Sequence, residues 1–230
     1  MFEMDDKSTG ADSPGGVEDL VAGAVEVKEE AHEALTDAAL KVAEEAPEPK
    51  KQELRRMGGL RALDASVLLM VNRLPHNEES DRTLSVVSDL GRGLGWFALA
   101  GWLAWKGGPR GRRAAAATLA GMLISTGLTQ GPIKHRFLRR RPFHDVRDHI
   151  VVGKKELDTS FPSGHTAGSF GAAMALSSLY PANAWPAFLV ASLVGLSRIY
   201  LGQHYPSDVV GGAALGVAVG TVTGQVARRV

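Results

Sequence analysis

The chain has 230 residues, 26 Lys/Arg against 25 Asp/Glu for a formal net charge of +1, and no cysteine. That length holds one domain with an appendage, and the lack of cysteine excludes disulfides, thiol catalysis and cysteine-ligated metal. The even balance hides a division: Met1–Gly59 carries seven Lys/Arg and fifteen Asp/Glu, net −8, whereas Leu60–Val230 carries nineteen and ten, net +9.

Met1–Gly16 is polar and rich in Gly, Ser and Pro, which reads as disorder, and the first thirty residues are acidic and lack a basic stretch followed by an apolar run, so no cleavable signal peptide is expected. In Val17–Ala46 the residues Val17, Leu20, Val21, Ala24, Ala31, Leu35, Ala38, Val42 and Ala46 recur at helical spacing. The stripe is thin, so a marginal solvated helix is expected in preference to a partner-binding or membrane-surface one. Pro47-Glu48-Pro49 reads as a linker, and Lys50, Lys51, Arg55 and Arg56 form a basic patch suited to anionic headgroups. Residues 1–56 are therefore expected to form an acidic, partly helical or disordered cytoplasmic extension, and 57–230 a membrane-embedded domain.

Six apolar segments follow. Leu60–Leu74 is short and carries Arg61, Asp64 and Arg73, so it either spans imperfectly or lies in the interface. Leu84–Trp105, Ala114–Ile133, Gly164–Tyr180, Ala184–Leu201 and Asp208–Ala227 are each near the ~20 residues that cross a ~30 Å hydrocarbon core. Trp96, Trp102, Trp105, Tyr180 and Trp185 fall near segment ends, where aromatic belts sit. The fold class that follows is all-α, a polytopic transmembrane bundle of about six helices. Asp89 and Arg92, three apart, are expected to pair structurally on one helix face. Gly212, Gly216, Gly220 and Gly224, four apart, allow a neighbouring backbone to approach closely. An intrachain partner is expected there, with a homo-oligomer as the alternative.

Charge inside such apolar surroundings is costly and marks function. Ser197–Asp208 places Arg198, His204 and Asp208 between two apolar runs, and His204 and Asp208 stand four apart, within reach for a carboxylate to orient an imidazole. Upstream lie Lys134–Pro142, with Lys134 and Arg141, and Phe161-Pro162-Ser163-Gly164-His165. Together these three stretches resemble the signature of the type 2 phosphatidic acid phosphatase family, which includes membrane lipid phosphatases, soluble acid phosphatases and vanadium haloperoxidases. Every defining position is filled, and the resemblance covers Leu84 to about Ala227.

The basic stretch Lys106–Arg113 is expected to be cytoplasmic by the positive-inside rule. Counting crossings from it puts all three motifs on one outer face of a multi-pass plasma-membrane protein. The long acidic extension is expected to stay inside, so Leu60–Leu74 is counted as a crossing.

Lys134, Arg141 and Arg198 are fixed cations, and a phosphate ester is the ligand that asks for such a set. Ser163 and Gly164 can add a hydroxyl and a helix-terminal N–H to the same anion. The resemblance implies that His204 is the nucleophile that forms a phosphohistidine, that Asp208 orients it, and that His165 protonates the leaving oxygen and later activates water. The spacing agrees, since within the motifs only His204 has a suitably placed carboxylate. His135, His144 and His149 match no motif position. No metal or other cofactor and no nucleic-acid partner is expected. The reading is a lipid phosphatase or pyrophosphatase similar to small bacterial enzymes acting on polyprenyl phosphates. Phosphatidic acid or phosphatidylglycerol phosphate is the alternative substrate. A vanadate-dependent haloperoxidase and a non-catalytic membrane interaction protein are the alternatives of other classes.

Overall fold

A computed structural model describes residues 17–44, 46–147 and 149–230, and every regular element among them is helical. Met1–Gly16, read above as disordered, lies outside the described residues. The bundle is built around α9 (Gly164–Leu179), which packs against α6 (Gly108–Leu128), α10 (Ala184–Tyr200) and α11 (Pro206–Arg229), while α5 (Gly95–Lys106) leans on α6.

Small residues make these contacts. α9 buries Thr166, Ala167, Gly168, Ser169, Gly171, Ala172, Ala173 and Ala175. Phe97, Trp102, Ile124, Trp185, Leu193 and Val222 are exposed on the outer surface of the bundle. Small residues inside and bulky apolar ones outside invert the pattern of a water-soluble core and suit a lipid surround, where close backbone packing replaces the hydrophobic drive. Pro181–Tyr200 and Pro206–Arg229 are long and apolar enough to cross a membrane.

The glycine file finds its partner within the chain. A Cβ on Gly212, Gly216 or Gly220 would lie 2.4 to 2.5 Å from the carbonyl oxygens of Ser163, Ala167 and Gly171, and one on Gly224 would lie 2.3 Å from Ser178 Oγ. All four glycines are buried against α9, so this face is not free for the second copy that the sequence left open.

Three other expectations change. Trp96 is not part of an aromatic belt: it is buried and its indole N–H donates to Ser169 Oγ at 3.2 Å. The basic stretch after Trp105 is not a loop, because Gly107 and Gly108 break the chain only briefly and Arg110, Arg112 and Arg113 already sit in the first turns of α6. Arg110 reaches back to the Leu179 carbonyl at the end of α9. The third change concerns the segment before the bundle.

α1 (Val17–Val42) is not a free solvated helix. It packs on α3 (Gly59–Asn72), with Ala39 fully buried and the Thr36 hydroxyl accepting from the Gly59 N–H at 2.7 Å. The bare Gly58–Gly59 backbone seats the His32 ring, whose atoms would stand 2.4 to 2.5 Å from a Cβ at either position. α2 (Glu48–Met57) joins through Leu54, and Ala39, Leu54, Ala62, Leu68, Val146, Ile199 and Tyr205 form one apolar cluster. The middle and the C-terminal end of α3 touch the same end of the bundle: Asp64 accepts from the Ser207 N–H at 2.9 Å, and Asn72 donates to the Tyr200 and Ile150 carbonyls at 2.7 and 2.8 Å. α3 has fourteen residues and so about 21 Å of length, short of a full crossing, and these polar contacts are to the motif-bearing ends of α10 and α11. α1 and α2 thus contact the bundle beside the motif residues, through Val146, Ile199 and Tyr205.

Candidate active site

Each motif is placed by a break in a helix. α6 gives way at Thr129–Ile133 to a π-type turn containing Gly131 and Pro132, which delivers Lys134 at the start of the short helix α7 (Lys134–Arg136). Arg141 precedes Pro142, whose fixed φ opens α8 (Pro142–Asp145). Ser163 sits at the N-cap position of α9, so Gly164 and His165 occupy its first turn. Arg198 lies in the last turn of α10, where the chain reverses through Gly202 at φ +69° and brings His204 back beneath it. The His204 N–H donates to the Arg198 carbonyl at 3.2 Å. Asp208 is in the first turn of α11.

Lys134, Arg141, Arg198, His204 and Asp208 are all nearly inaccessible to solvent. Buried charge demands partners, and the connection between the first two motifs supplies them. Lys134 Nζ pairs with the Asp158 carboxylate, and Arg141 Nη2 pairs with both Glu156 and Asp158. Arg198 Nη2 donates to Glu156 Oε1 at 3.1 Å, and its Nη1 donates at 3.0 Å to Ser88 Oγ on α4 (Glu78–Asp89). Two carboxylates therefore stand where three cations converge. Burial alone would raise the Glu156 carboxyl, but Arg141 and Arg198 outweigh it and hold it below its usual range. Asp158 is likewise lowered, by Lys134 and Arg141 against its burial.

His204 Nε2 lies 3.4 Å from Arg141 Nη1. A guanidinium only donates, so Nε2 presents its lone pair and Nδ1 carries the proton. That Nδ1 faces Asp208 Oδ2 at 3.5 Å but has no hydrogen-bond partner. The reason is occupancy: Oδ2 already accepts from the Ser160 hydroxyl and, at 2.8 Å, from the Tyr205 N–H, while Oδ1 accepts from Arg139 Nη1 at 2.9 Å. Burial lowers the His204 imidazole, Arg141 and Arg198 lower it further, and the opposing pull of Asp208 leaves it at about 4. At neutral pH it is an uncharged base with an available lone pair.

His165 joins the site through Arg92, whose Nε donates to His165 Nε2 at 3.0 Å and whose Nη2 is 3.8 Å from Glu156. Ser163 Oγ accepts from Thr166 Oγ1 at 2.9 Å, and the Ser163 N–H donates to the Asp208 carbonyl at 3.0 Å. Neither Ser163 nor Gly164 contacts the three cations directly. Gly164 and His165 instead line a cavity of about 580 Å³ with Arg92, Gln130, Glu156 and Asp158. His135 and His144 are exposed away from this cluster, and His149 Nδ1 donates to the Val146 carbonyl at 2.9 Å.

Sequence reasoning missed Arg92, Arg139, Glu156, Asp158 and Ser160. Among the described residues Asp89 and Arg92 do not pair as expected, because Leu90–Leu94 forms a π-type turn. The extra residue in that turn destroys the three-apart register and swings Arg92 toward α9. Gly91 allows it: a Cβ there would meet Val194 Cγ2 at 2.2 Å, so α10 approaches this turn closely. The usable signal was a charge flanked by glycines in an apolar segment.

The model of the PAP2 superfamily matches residues 115–229. The chain is 37% identical over 135 residues to decaprenylphosphoryl-5-phosphoribose phosphatase of Mycobacterium tuberculosis, covering 58% of this chain and 72% of that protein. It is 33% identical over 84 residues to undecaprenyl-diphosphatase BcrC of Bacillus subtilis, covering 36% and 43%. With lipid A 1-phosphatase of Rhizobium johnstonii it shares 35% identity over 113 residues, 46% of each chain. The match thus spans less than half the length of these last two relatives. Among solved structures, Aquifex aeolicus LpxE superposes with a TM-score of 0.55 at 26% identity, covering 68% of this chain and 92% of that one. A transmembrane PAP2 type phosphatidylglycerolphosphate phosphatase from Bacillus subtilis shares the fold, with a TM-score of 0.60 at 19% identity over 86% and 96% of the two chains.

Proposed function

This chain belongs to the PAP2 superfamily, and from that premise we propose that it hydrolyses a phosphate monoester or diphosphate on a polyprenyl lipid, through a phosphohistidine and without a metal. The observation that carries this reading is the convergence of Lys134, Arg141 and Arg198 on one anion site with the His204 lone pair 3.4 Å from Arg141.

The phosphate enters by displacing the Glu156 and Asp158 carboxylates from the three guanidinium and ammonium groups. His204 Nε2 then attacks phosphorus, the bond to the leaving oxygen breaks, and His165 gives that oxygen a proton, which the ring takes up as the entering phosphate draws Arg92 from the Nε2 lone pair it now donates to. Asp208 accepts a hydrogen bond from the Nδ1–H as positive charge develops on the ring, closing the present 3.5 Å gap. In the second half His165 removes a proton from water, the water oxygen attacks phosphorus, and the P–N bond breaks to release inorganic phosphate. The fixed cations carry the charge that develops on the non-bridging oxygens, a task given to metal ions in many other phosphoryl-transfer sites.

A lipid substrate is supported by an apolar groove of about 680 Å³ along α5 and α10, lined by Leu90, Trp96, Leu99, Trp102, Tyr180 and Val190. Its lining includes Leu90, two residues before Arg92 in the sequence, and an apolar chain lying in it would carry its headgroup toward the cations. The two relatives named for decaprenyl and undecaprenyl compounds favour a polyprenyl chain.

The test is phosphate release by the purified protein from a panel of polyprenyl phosphates, polyprenyl diphosphates, phosphatidic acid and phosphatidylglycerol phosphate in excess chelator. Turnover of a polyprenyl substrate, undiminished by chelator and blocked by vanadate, is expected, because vanadate takes the trigonal-bipyramidal shape of the transition state. Loss of turnover with chelator, restored by magnesium, would show that the site has been misread.

The carboxylate displacement has its own signature. Glu156→Gln removes one competitor for Arg141 and Arg198, so KM is expected to fall by about two- to fivefold, the equivalent of one partly exposed ion pair. A rise in KM measured under the same conditions would mean that Glu156 serves to hold the two arginines in place and does not compete with substrate.

A further inference from the structure

We propose that Asp64, on α3 and outside the stretch matched to the family, is a positioning residue for the reaction: acting through Arg139, it fixes the carboxylate of Asp208 beneath His204. The inference rests on the phosphatase reading above.

Asp64 is almost fully buried, and its carboxylate is fully engaged. Oδ1 accepts from the Ser207 N–H at 2.9 Å, and Oδ2 accepts from Ser207 Oγ at 2.5 Å and from Arg139 Nη2 at 2.6 Å. The other arm of the same guanidinium, Nη1, donates to Asp208 Oδ1 at 2.9 Å and to Ser207 Oγ at 2.6 Å. Its plane lies over the Tyr205 ring, 4.2 Å from the centroid. One rigid, planar fork therefore ties α3, the start of α11 and the residue next to His204 into a single unit.

A mere anchor for α3 would not need this. Burying a carboxylate and a guanidinium costs desolvation that a packed apolar pair avoids, and α3 already docks through Ala62, Ala65 and Leu68. What the ion pair adds is direction. Because the guanidinium is planar, the partner of Nη2 sets where Nη1 points, and Nη1 points at Asp208. Without the Asp64 carboxylate both arms can turn onto Asp208, drawing it from His204.

Charge leads to the same result. Asp64 cancels Arg139, so the net negative charge of the array remains available to the His204 ring when phosphorylation makes it cationic. With Asp64 neutral, Arg139 cancels Asp208 instead, and the phosphohistidine loses its counter-charge.

The experiment compares wild type, Asp64→Asn and Asp64→Glu in the full chain, measuring kcat, KM and the rise in Tm on adding vanadate. Asp64→Asn is expected to lower kcat by about ten- to a hundredfold, as loss of an outer partner of a reacting group does. KM and the vanadate shift should stay at wild-type values, because Lys134, Arg141 and Arg198 do not touch Asp64. Asp64→Glu, which keeps the charge, should retain more kcat than Asp64→Asn. Wild-type kcat in Asp64→Asn overturns the inference, and so does a parallel loss of kcat, KM and vanadate binding, which would mark a general structural anchor. If Asp64→Asn does not fold, Arg139→Lys takes its place. It keeps the charge beside Asp208 but lacks the rigid planar fork that lets the partner of one nitrogen fix the direction of the other, so the same fall in kcat is expected, and an undiminished kcat overturns the inference. A wild-type protein inactive on every lipid of the panel would remove the proposed function itself, and the inference with it.

Discussion

His204→Ala is expected to lower kcat by roughly 10⁴-fold or more, the scale seen when a nucleophile that acts with its partners as a unit is removed. The site offers no second nucleophile at that position. The His204 lone pair is aimed at the place where the cations converge, while His165 is turned toward Arg92 and Ser163 Oγ is hydrogen-bonded with Thr166. The loss should not depend on the leaving group, since the missing P–N bond is needed for every substrate. His165→Ala should behave differently. Its role is to protonate the departing oxygen, so its loss should be severe for a lipid alkoxide and much milder for an aryl phosphate, whose leaving oxygen needs no proton. Comparing kcat for the two substrates across both variants separates the roles. Equal losses for His165→Ala on both substrates would remove it as the acid, and a His204→Ala protein that still turns over at near the wild-type rate would end the phosphohistidine mechanism.

The three motifs were legible because their chemistry is carried by residue type at fixed spacing, in apolar surroundings where Lys134, Arg141, Arg198 and Asp208 have little reason to exist except a ligand or each other. The glycine file was legible for a similar reason, since four glycines four apart have one geometric use in a helix. What escaped the sequence depended on tertiary register. Arg92 is reached only through a π-type turn, which a 3.6-residue period cannot foresee. Glu156 and Asp158 lie in an aperiodic connection beside Lys154 and Lys155, where acids look like solvated loop residues. The packing of α1 on α3 uses alanines and a histidine ring seated on two glycines, and so leaves only a thin stripe in the pattern. Asp64 looked like a liability in a short apolar segment, and its partner Arg139, 75 residues later, appeared to be one of three like charges in a row.

The placement of α3 alters the argument about sides. The basic stretch and the acidic extension were each used to fix an orientation, and they agreed only while Leu60–Leu74 counted as a crossing. With α1 and α3 on the motif end, either the Arg110–Arg113 turn is cytoplasmic and the extension is outside, or the reverse. The positive-inside rule is the stronger guide, because it depends on Lys and Arg close to helix ends and Asp and Glu contribute little. Arg110, Arg112 and Arg113 at the start of α6 and Arg228 and Arg229 at the end of α11 meet at one end of the bundle, far from the candidate cradle. The reaction is accordingly expected on the outer face, where a polyprenyl carrier spent after export would present its phosphate. Since the chain has no cysteine, single exposed positions can be labelled without background. In intact cells a membrane-impermeant thiol reagent should label Arg147→Cys and leave Arg229→Cys untouched until the membrane is opened. Glu33→Cys, exposed on α1, should follow Arg147→Cys whichever way the protein faces. Labelling of Arg229→Cys alone would place the reaction on the cytoplasmic leaflet and favour a newly made lipid phosphate. Labelling of Arg147→Cys without Glu33→Cys would show that α3 crosses the membrane after all and that the extension is cytoplasmic.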